Sequence, residues 1–436
     1  MEQDQLRGFW RRIAAVFGAL VLSACVGGVE LSQPPNLYLD GRNYPSGRVS
    51  PPLQVIDPPI FYVTDRNPVM RDGRVIGYGQ ERSDGMAFGR AQVRFGALDW
   101  DDLVARTHID RGGRLSRLDV EEVAEIVRFP DIPLLAERHK GELRVIPEAQ
   151  SAYDGQATAF QAAVRAEVQR TGNGRILVFA HGVNNDFEET LQTTANLWHF
   201  AGRGSVPVVF SWPAGNAGLL GYFRDREAGE FSVYHAKEML RLIAAIPEVA
   251  EIDIVAHSRG TSVMTQALRE TVIFHRARGE LPKKAMKTGT LILAAPDLDT
   301  GVVRQRLLSE RFSEAFEQVN IYVNPDDVAL RLSSFITKHP RIGAAEKEDF
   351  REGELVRLRK EELVHLIRVE GASGAESHSY FRNNPAVLSD IVLALRTRAF
   401  PGGTLRPLEE DPDTIWRLHP DYPLDRLPEL EIESPQ

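Results

Sequence analysis

A single cysteine, Cys25, stands among 436 residues, which excludes an intramolecular disulfide framework and a cysteine-rich zinc or iron–sulfur centre. No long basic run interrupts a chain of formal charge −9, so a nucleic-acid binder that neutralises phosphates is not expected. No apolar stretch reaches the roughly 20 residues of a membrane-spanning helix. Internal repeats and low-complexity tracts are missing as well. What is left, 43% hydrophobic and 26% charged residues, is ordinary globular composition, and the length is enough to bury a sizeable core.

The start of the chain follows another logic. Arg7, Arg11 and Arg12 precede the apolar run Ile13–Leu22, and Leu22-Ser23-Ala24-Cys25 follows at once. A basic start, a short apolar run and small residues make a secretory signal. The four-residue end resembles the lipobox of bacterial lipoproteins, which implies removal of residues 1–24 and acylation of Cys25. More than one acyl chain would hold the protein firmly at a membrane. Val26, where relatives kept at the inner membrane often carry Asp, points to the outer membrane, facing the periplasm. Pro34, Pro35, Pro45, Pro51 and Pro52 then suggest that residues 25–52 are the lipidated cysteine and a solvated tether.

Residues 53–150 read as a β-rich extension, with runs such as Ile60-Phe61-Tyr62-Val63 and Ala91-Gln92-Val93-Arg94-Phe95 between Gly, Asp and Asn turns. Across 151–400 the pattern becomes an alternation. Apolar strands at 176–180, 206–210, 252–256, 291–295, 319–323 and 363–369 are separated by helices with three-to-four spacing, such as Phe160, Ala163, Val164 and Val168. That predicts a mostly parallel sheet with helices on both faces. Asn384 before Pro385 predicts a helix start. Residues 401–436, rich in Pro, Asp and Glu, read as an extended tail, packed on the surface or loose.

One segment carries chemistry. Ile252-Asp253-Ile254-Val255-Ala256-His257-Ser258-Arg259-Gly260 reads as strand, sharp turn and helix, and Ala256–Gly260 is G-x-S-x-G with Ala for the first Gly. Small residues flank such a serine because larger side chains would clash in so tight a turn, which lifts the hydroxyl above the sheet edge. A serine nucleophile needs a base, an acid that orients it and an oxyanion site, and in this arrangement acid and base follow the serine. His378, in the Gly- and Ser-rich loop 371–379 after the last core strand, suits the base. His365 lies within a strand, while His339 and His419 each precede a proline. The acid is Asp327 or its neighbour Asp326, after the next-to-last strand, or Asp297 or Asp299 after the strand before it. For the oxyanion, the backbone N–H of Arg259 is one expected donor and that of Val183, in His181-Gly182-Val183-Asn184-Asn185, the other. Pro213–Glu230 reads as a lid or a plain surface crossover.

These segments taken in order, F-A-H-G-V-N-N, F-S-W-P-A-G, G-Y-F-R-D-R-E, A-H-S-R-G, L-A-A-P-D-L-D and H-S-Y-F, resemble a bacterial alpha/beta-hydrolase domain family of largely uncharacterised function, often lipid-anchored. The resemblance spans about residues 60–400. It implies the alpha/beta-hydrolase fold, Ser258 as nucleophile, His378 as base and Asp327, in N-P-D-D-V-A-L, as acid. Arg259 departs from the methionine or leucine usual there and would bring positive charge to the pocket mouth. The expectation is a lipid-anchored serine hydrolase acting on an acyl ester through an acyl-enzyme, with no metal or organic cofactor. Two other readings stay open: a non-catalytic envelope lipoprotein that uses the fold as a binding scaffold, and a peptidase of the same fold.

Overall fold

Strands buried on both faces are apolar along most of their length, because successive side chains point to opposite sides. Strand Arg175–Ala180 shows this: Ile176, Val178 and Ala180 enter one core, while Leu177 and Phe179 enter another. The structure, a computed structural model, describes residues 28–39, 44–108, 116–411 and 415–424. The signal segment, Cys25 and residues 425–436 lie outside them.

The strands are β1 (Pro59–Arg71), β2 (Arg74–Arg94), β3 (Asp119–Arg128), β4 (Ala136–His139), β5 (Glu142–Val145), β6 (Arg175–Ala180) and β7 (Val206–Ser211). They continue with β8 (Glu251–His257), β9 (Thr288–Ala294), β10 (Gln318–Val323), β11 (Val364–Val369), β12 (Glu409–Glu410) and β13 (Trp416–Leu418). The principal helices are α1 (Trp100–His108), α2 (Pro147–Thr171), α3 (Phe187–Phe200), α4 (Gly218–Ala244), α5 (Gly260–Ala277), α6 (Val328–Thr337) and α7 (Pro385–Thr397).

Eleven strands form one sheet in the order β12-β13-β11-β10-β9-β8-β6-β7-β1-β2-β3, and β4 and β5 form a separate hairpin. Every pairing from β13 to β1 is parallel; β2, β3 and β12 add antiparallel edges. One face packs against residues of α2, α4 and α5, such as Phe160, Ile243 and Met264. The other packs against Leu191 and Trp198 of α3 and Ile391 of α7. The predicted strands all form, and Asn384 caps α7, accepting from the Ala386 and Val387 amides.

One segment differs from the sequence reading, and two others become more specific. The proline-rich stretch is not a solvated tether where it is described: Leu31, Leu37, Tyr38, Tyr44, Val49 and Leu53 are buried. Side chains there replace the backbone pairing that prolines forbid, since Asn196 bonds Ser32 N and Glu30 O, and Asn36 bonds Pro420 O and Tyr422 O. The β-rich extension of 53–150 joins the main sheet. Its strand β1 pairs with β7, from Phe61 against Val208 to Thr64 against Ser211, and carries the sheet onward. Of the two readings of the tail, the packed one holds as far as Leu424, because β13 pairs with β11 and the fully buried Arg406 clasps Asp390 at 2.7 Å. Isolated polar residues gave the sequence no sign of this burial.

Candidate active site

Strand β8 runs into α5 through Ser258, which takes a left-handed φ of 51°. That conformation is costly for a side chain bearing Cβ and persists only when its surroundings hold it. Here they do. Ser258 N–H donates to Ala294 O at 3.0 Å, and its carbonyl accepts from the Thr261 and Asp297 amides and the Thr261 hydroxyl. The two glycines of the surrounding turns are steric necessities. A Cβ on Gly260 would lie 2.2 Å from His181 O, and one on Gly182 would lie 2.8 Å from Ser258 Cβ. The loop after β6 therefore presses against the serine.

Ser258 Oγ lies 2.9 Å from His378 Nε2, and His378 Nδ1 lies 2.7 Å from Asp327 Oδ2. Asp327, fully buried, ends the turn after β10 and caps α6 with its other oxygen, which accepts the Leu330 amide at 2.9 Å. The structure thus brings together the serine, the histidine and the first of the four acid candidates. Asp326 is turned outward, its side chain 74% exposed. Asp297 is held by Tyr222, Ser333 and Arg341, and Asp299 caps the turn that begins at Thr300. His365 is buried in β11, His339 lies 3.9 Å from Asp299, and His419 bonds Glu409 and Glu370.

Burial pulls the His378 imidazolium down, but the charge and hydrogen bond of Asp327, with Asp297 behind, hold its pKa above the ordinary value. Its loop is tied from below. Asn324 donates to Ala372 O and Ser377 O, and the Ser377 hydroxyl accepts from Val328 N–H. His257, whose pKa burial and His378 hold well below normal, is neutral and donates from Nε2 to His378 O at 3.0 Å. Sequence reasoning passed over Asn324 and His257; both stand in the motifs that were read, N-P-D-D and A-H-S-R-G.

The Arg259 side chain is buried and paired with Glu230 at 2.8 Å, so its charge is met by a carboxylate instead of standing free at the mouth. The segment 213–230 is a short loop followed by the first turns of α4. It is tethered where Tyr222 OH donates to Asp297 at 2.9 Å, and Leu220 is 74% exposed beside it. Among the described residues, no three His, Cys, Asp or Glu side chains are grouped to hold a metal, and no helix is long and apolar enough to cross a membrane.

No curated protein matches the chain. A family model does, over residues 156–396, a stretch that holds β6 to β11 and the serine, histidine and aspartate just described. With a sheet of this order and a serine at this turn, the chain belongs to DUF900, the alpha/beta hydrolases of unknown function.

Proposed function

We propose that the protein is a serine hydrolase that cleaves a carboxylic ester through an acyl-enzyme. The observation that carries the reading is the unbroken hydrogen-bonded series Ser258–His378–Asp327, with Ser258 at a left-handed turn between strand and helix. In this reading Ser258 Oγ attacks the ester carbonyl as its proton passes to His378 Nε2, and Asp327 stabilises the imidazolium. The N–H groups of Val183 and Arg259 hold the oxyanion. Collapse expels the alcohol, which takes the proton from His378. Water then repeats the sequence on the acyl-enzyme, and the acid leaves. An apolar group on the substrate is supported by Leu220 and Phe223, exposed on the opening turns of α4 around Tyr222.

The same proposal includes anchoring through acylated Cys25, supported by the order of arginines, apolar run and Leu-Ser-Ala-Cys. It places the enzyme in the bacterial envelope, at the outer membrane and facing the periplasm. A fluorophosphonate probe and p-nitrophenyl butyrate test the activity. Wild type should label and turn over, and Ser258→Ala should do neither. Labelling that persists in Ser258→Ala would put the nucleophile elsewhere, and an inert wild type would leave a binding scaffold.

A further inference from the structure

We propose that Asp225 and Arg66 are positioning residues of the oxyanion site: between them they set the peptides on either side of Val183 so that its N–H is aimed at Ser258. This rests on the serine-hydrolase reading above.

Two loops meet, 181–186 after β6, whose Gly182 touches Ser258, and 212–217 after β7, whose Trp212 and Gly215 lie against His181 and Asn185. Asp225, fully buried on α4, meets only donors. Its oxygens accept from the backbone N–H of Asn184 (2.8 Å), Gly215 (3.2 Å) and Asn216 (3.3 Å), and from Asn216 Nδ2 (2.7 Å). Arg66, fully buried at the end of the β1 segment that pairs with β7, takes mostly carbonyls. It donates to Asn185 O (2.9 Å), Ala214 O (2.7 Å) and Gly79 O (3.1 Å), and to Ser211 Oγ (3.0 Å). An anion holding the amides and a cation holding the carbonyls of the same two loops leaves those backbones little freedom. Buried charges are tolerated only with such full hydrogen bonding. Burial lowers the Arg66 pKa to about 10, with Asp186, Asp65 and Asp225 opposing the fall, so it stays charged at neutral pH.

The clamp closes on one peptide unit. The Gly182 carbonyl accepts from His181 Nδ1 at 2.8 Å, which fixes the Gly182–Val183 peptide. The His181 ring stacks on Trp212 at 5.0 Å, and Trp212 Nε1 donates to His181 O. Burial and then the Arg66 charge hold the His181 pKa well below normal, so the ring is neutral and its Nε2 faces Arg66 as an acceptor. Asp225 fixes the next peptide through the Asn184 N–H, at a residue with a left-handed φ of 55°. The Val183 N–H lies between two held groups, and Gly182 before it is in contact with Ser258.

Full-length protein carrying Asp225→Asn separates this from a packing role, since the carboxamide turns an NH2 toward groups that are themselves donors. The kcat for p-nitrophenyl butyrate should fall on the order of 10²–10³, the effect of losing one oxyanion donor, with KM little changed. Phenylboronic acid, which mimics the tetrahedral adduct, should lose affinity in proportion. The rising limb of the pH–rate profile should stay in place, because Ser258, His378 and Asp327 are untouched. A kcat within tenfold of wild type, or a loss accompanied by a moved limb, overturns the proposal. If Asp225→Asn does not fold, Asn216→Ala removes one donor at a half-buried position, and Arg66→Lys keeps the charge without the fork. Either should lower kcat with the limb fixed, and unchanged kcat in both refutes the clamp. An inert wild type would instead refute the hydrolase reading itself.

Discussion

Replacing Asp327 by Asn tests the site at its most constrained point. One oxygen of Asp327 accepts the Leu330 N–H and the other accepts His378 Nδ1–H. In the Asp327→Asn variant the amide oxygen is required at the helix cap, so the new NH2 turns to His378. That NH2 needs an acceptor, which forces the imidazole into the tautomer with its proton on Nε2, against Ser258. The base can then no longer take the serine proton. The loss expected for a wrong tautomer is on the order of 10⁴ in kcat, or about 5.4 kcal/mol of barrier. The fold should survive, because Asn caps a helix about as well as Asp.

The pH dependence gives an independent sign. With Asp327 in place, the raised His378 pKa puts the rising limb of kcat above the ordinary value of about 6.5. It also gives stability that is present below that value and lost as pH rises through the folded pKa. In Asp327→Asn burial remains and the carboxylate is gone. The residual limb should move below the wild-type one, and stability should instead fall as the solution becomes acidic. Ester hydrolysis from about pH 5 to 9, with melting curves over the same range, checks both. Turnover within tenfold of wild type, or a larger loss in Asp299→Asn, would refute the assignment of the acid.

Three further outcomes follow from the same geometry. Ser258→Gly should melt above Ser258→Ala in calorimetry, because glycine at φ 51° escapes the roughly 1–2 kcal/mol that a Cβ incurs there. Gly260→Ala should cost about 1–3 kcal/mol or more by denaturant unfolding and depress esterase activity, since its Cβ would press on His181 O. Cys25→Ser should remain unprocessed or leave the membrane fraction, with no incorporation of labelled palmitate; normal processing and retention would end the lipoprotein reading.

The parallel sheet was legible because each of its core strands carries a mostly apolar run, such as Ile176–Ala180 and Val206–Phe210, and the helices between them keep their spacing, as at Phe160, Val164 and Val168. The serine turn was legible because small residues are needed where a Cβ would strike His181 O or Ser258. The local pattern by itself left four aspartates, since all of them follow strands; the resemblance singled out Asp327, in N-P-D-D-V-A-L, and it is Asp327 that the packing sets against His378. Long-range polar contacts were hidden for the same reason. Arg406 reaches Asp390, and Arg66 reaches Asn185 across 119 positions, with nothing in the local pattern to announce either. The prolines of 34–52 suggested a solvated tether and said nothing of the core in which Leu37 and Tyr38 are buried.

The pairing of β1 with β7 has a practical side. The family match opens inside α2 and closes inside α7, so a recombinant fragment trimmed to it would cut two helices. It would also strip β1 from β7 and β13 from β11, leaving two raw edges on a sheet whose central strands are apolar on both faces. Unpaired edges of that kind recruit other chains, so such a fragment should precipitate or associate when expressed. The shortest fragment expected to stay in solution is therefore set by the sheet edges of this alpha/beta-hydrolase fold, and should include the buried residues from near Leu31 through Leu418.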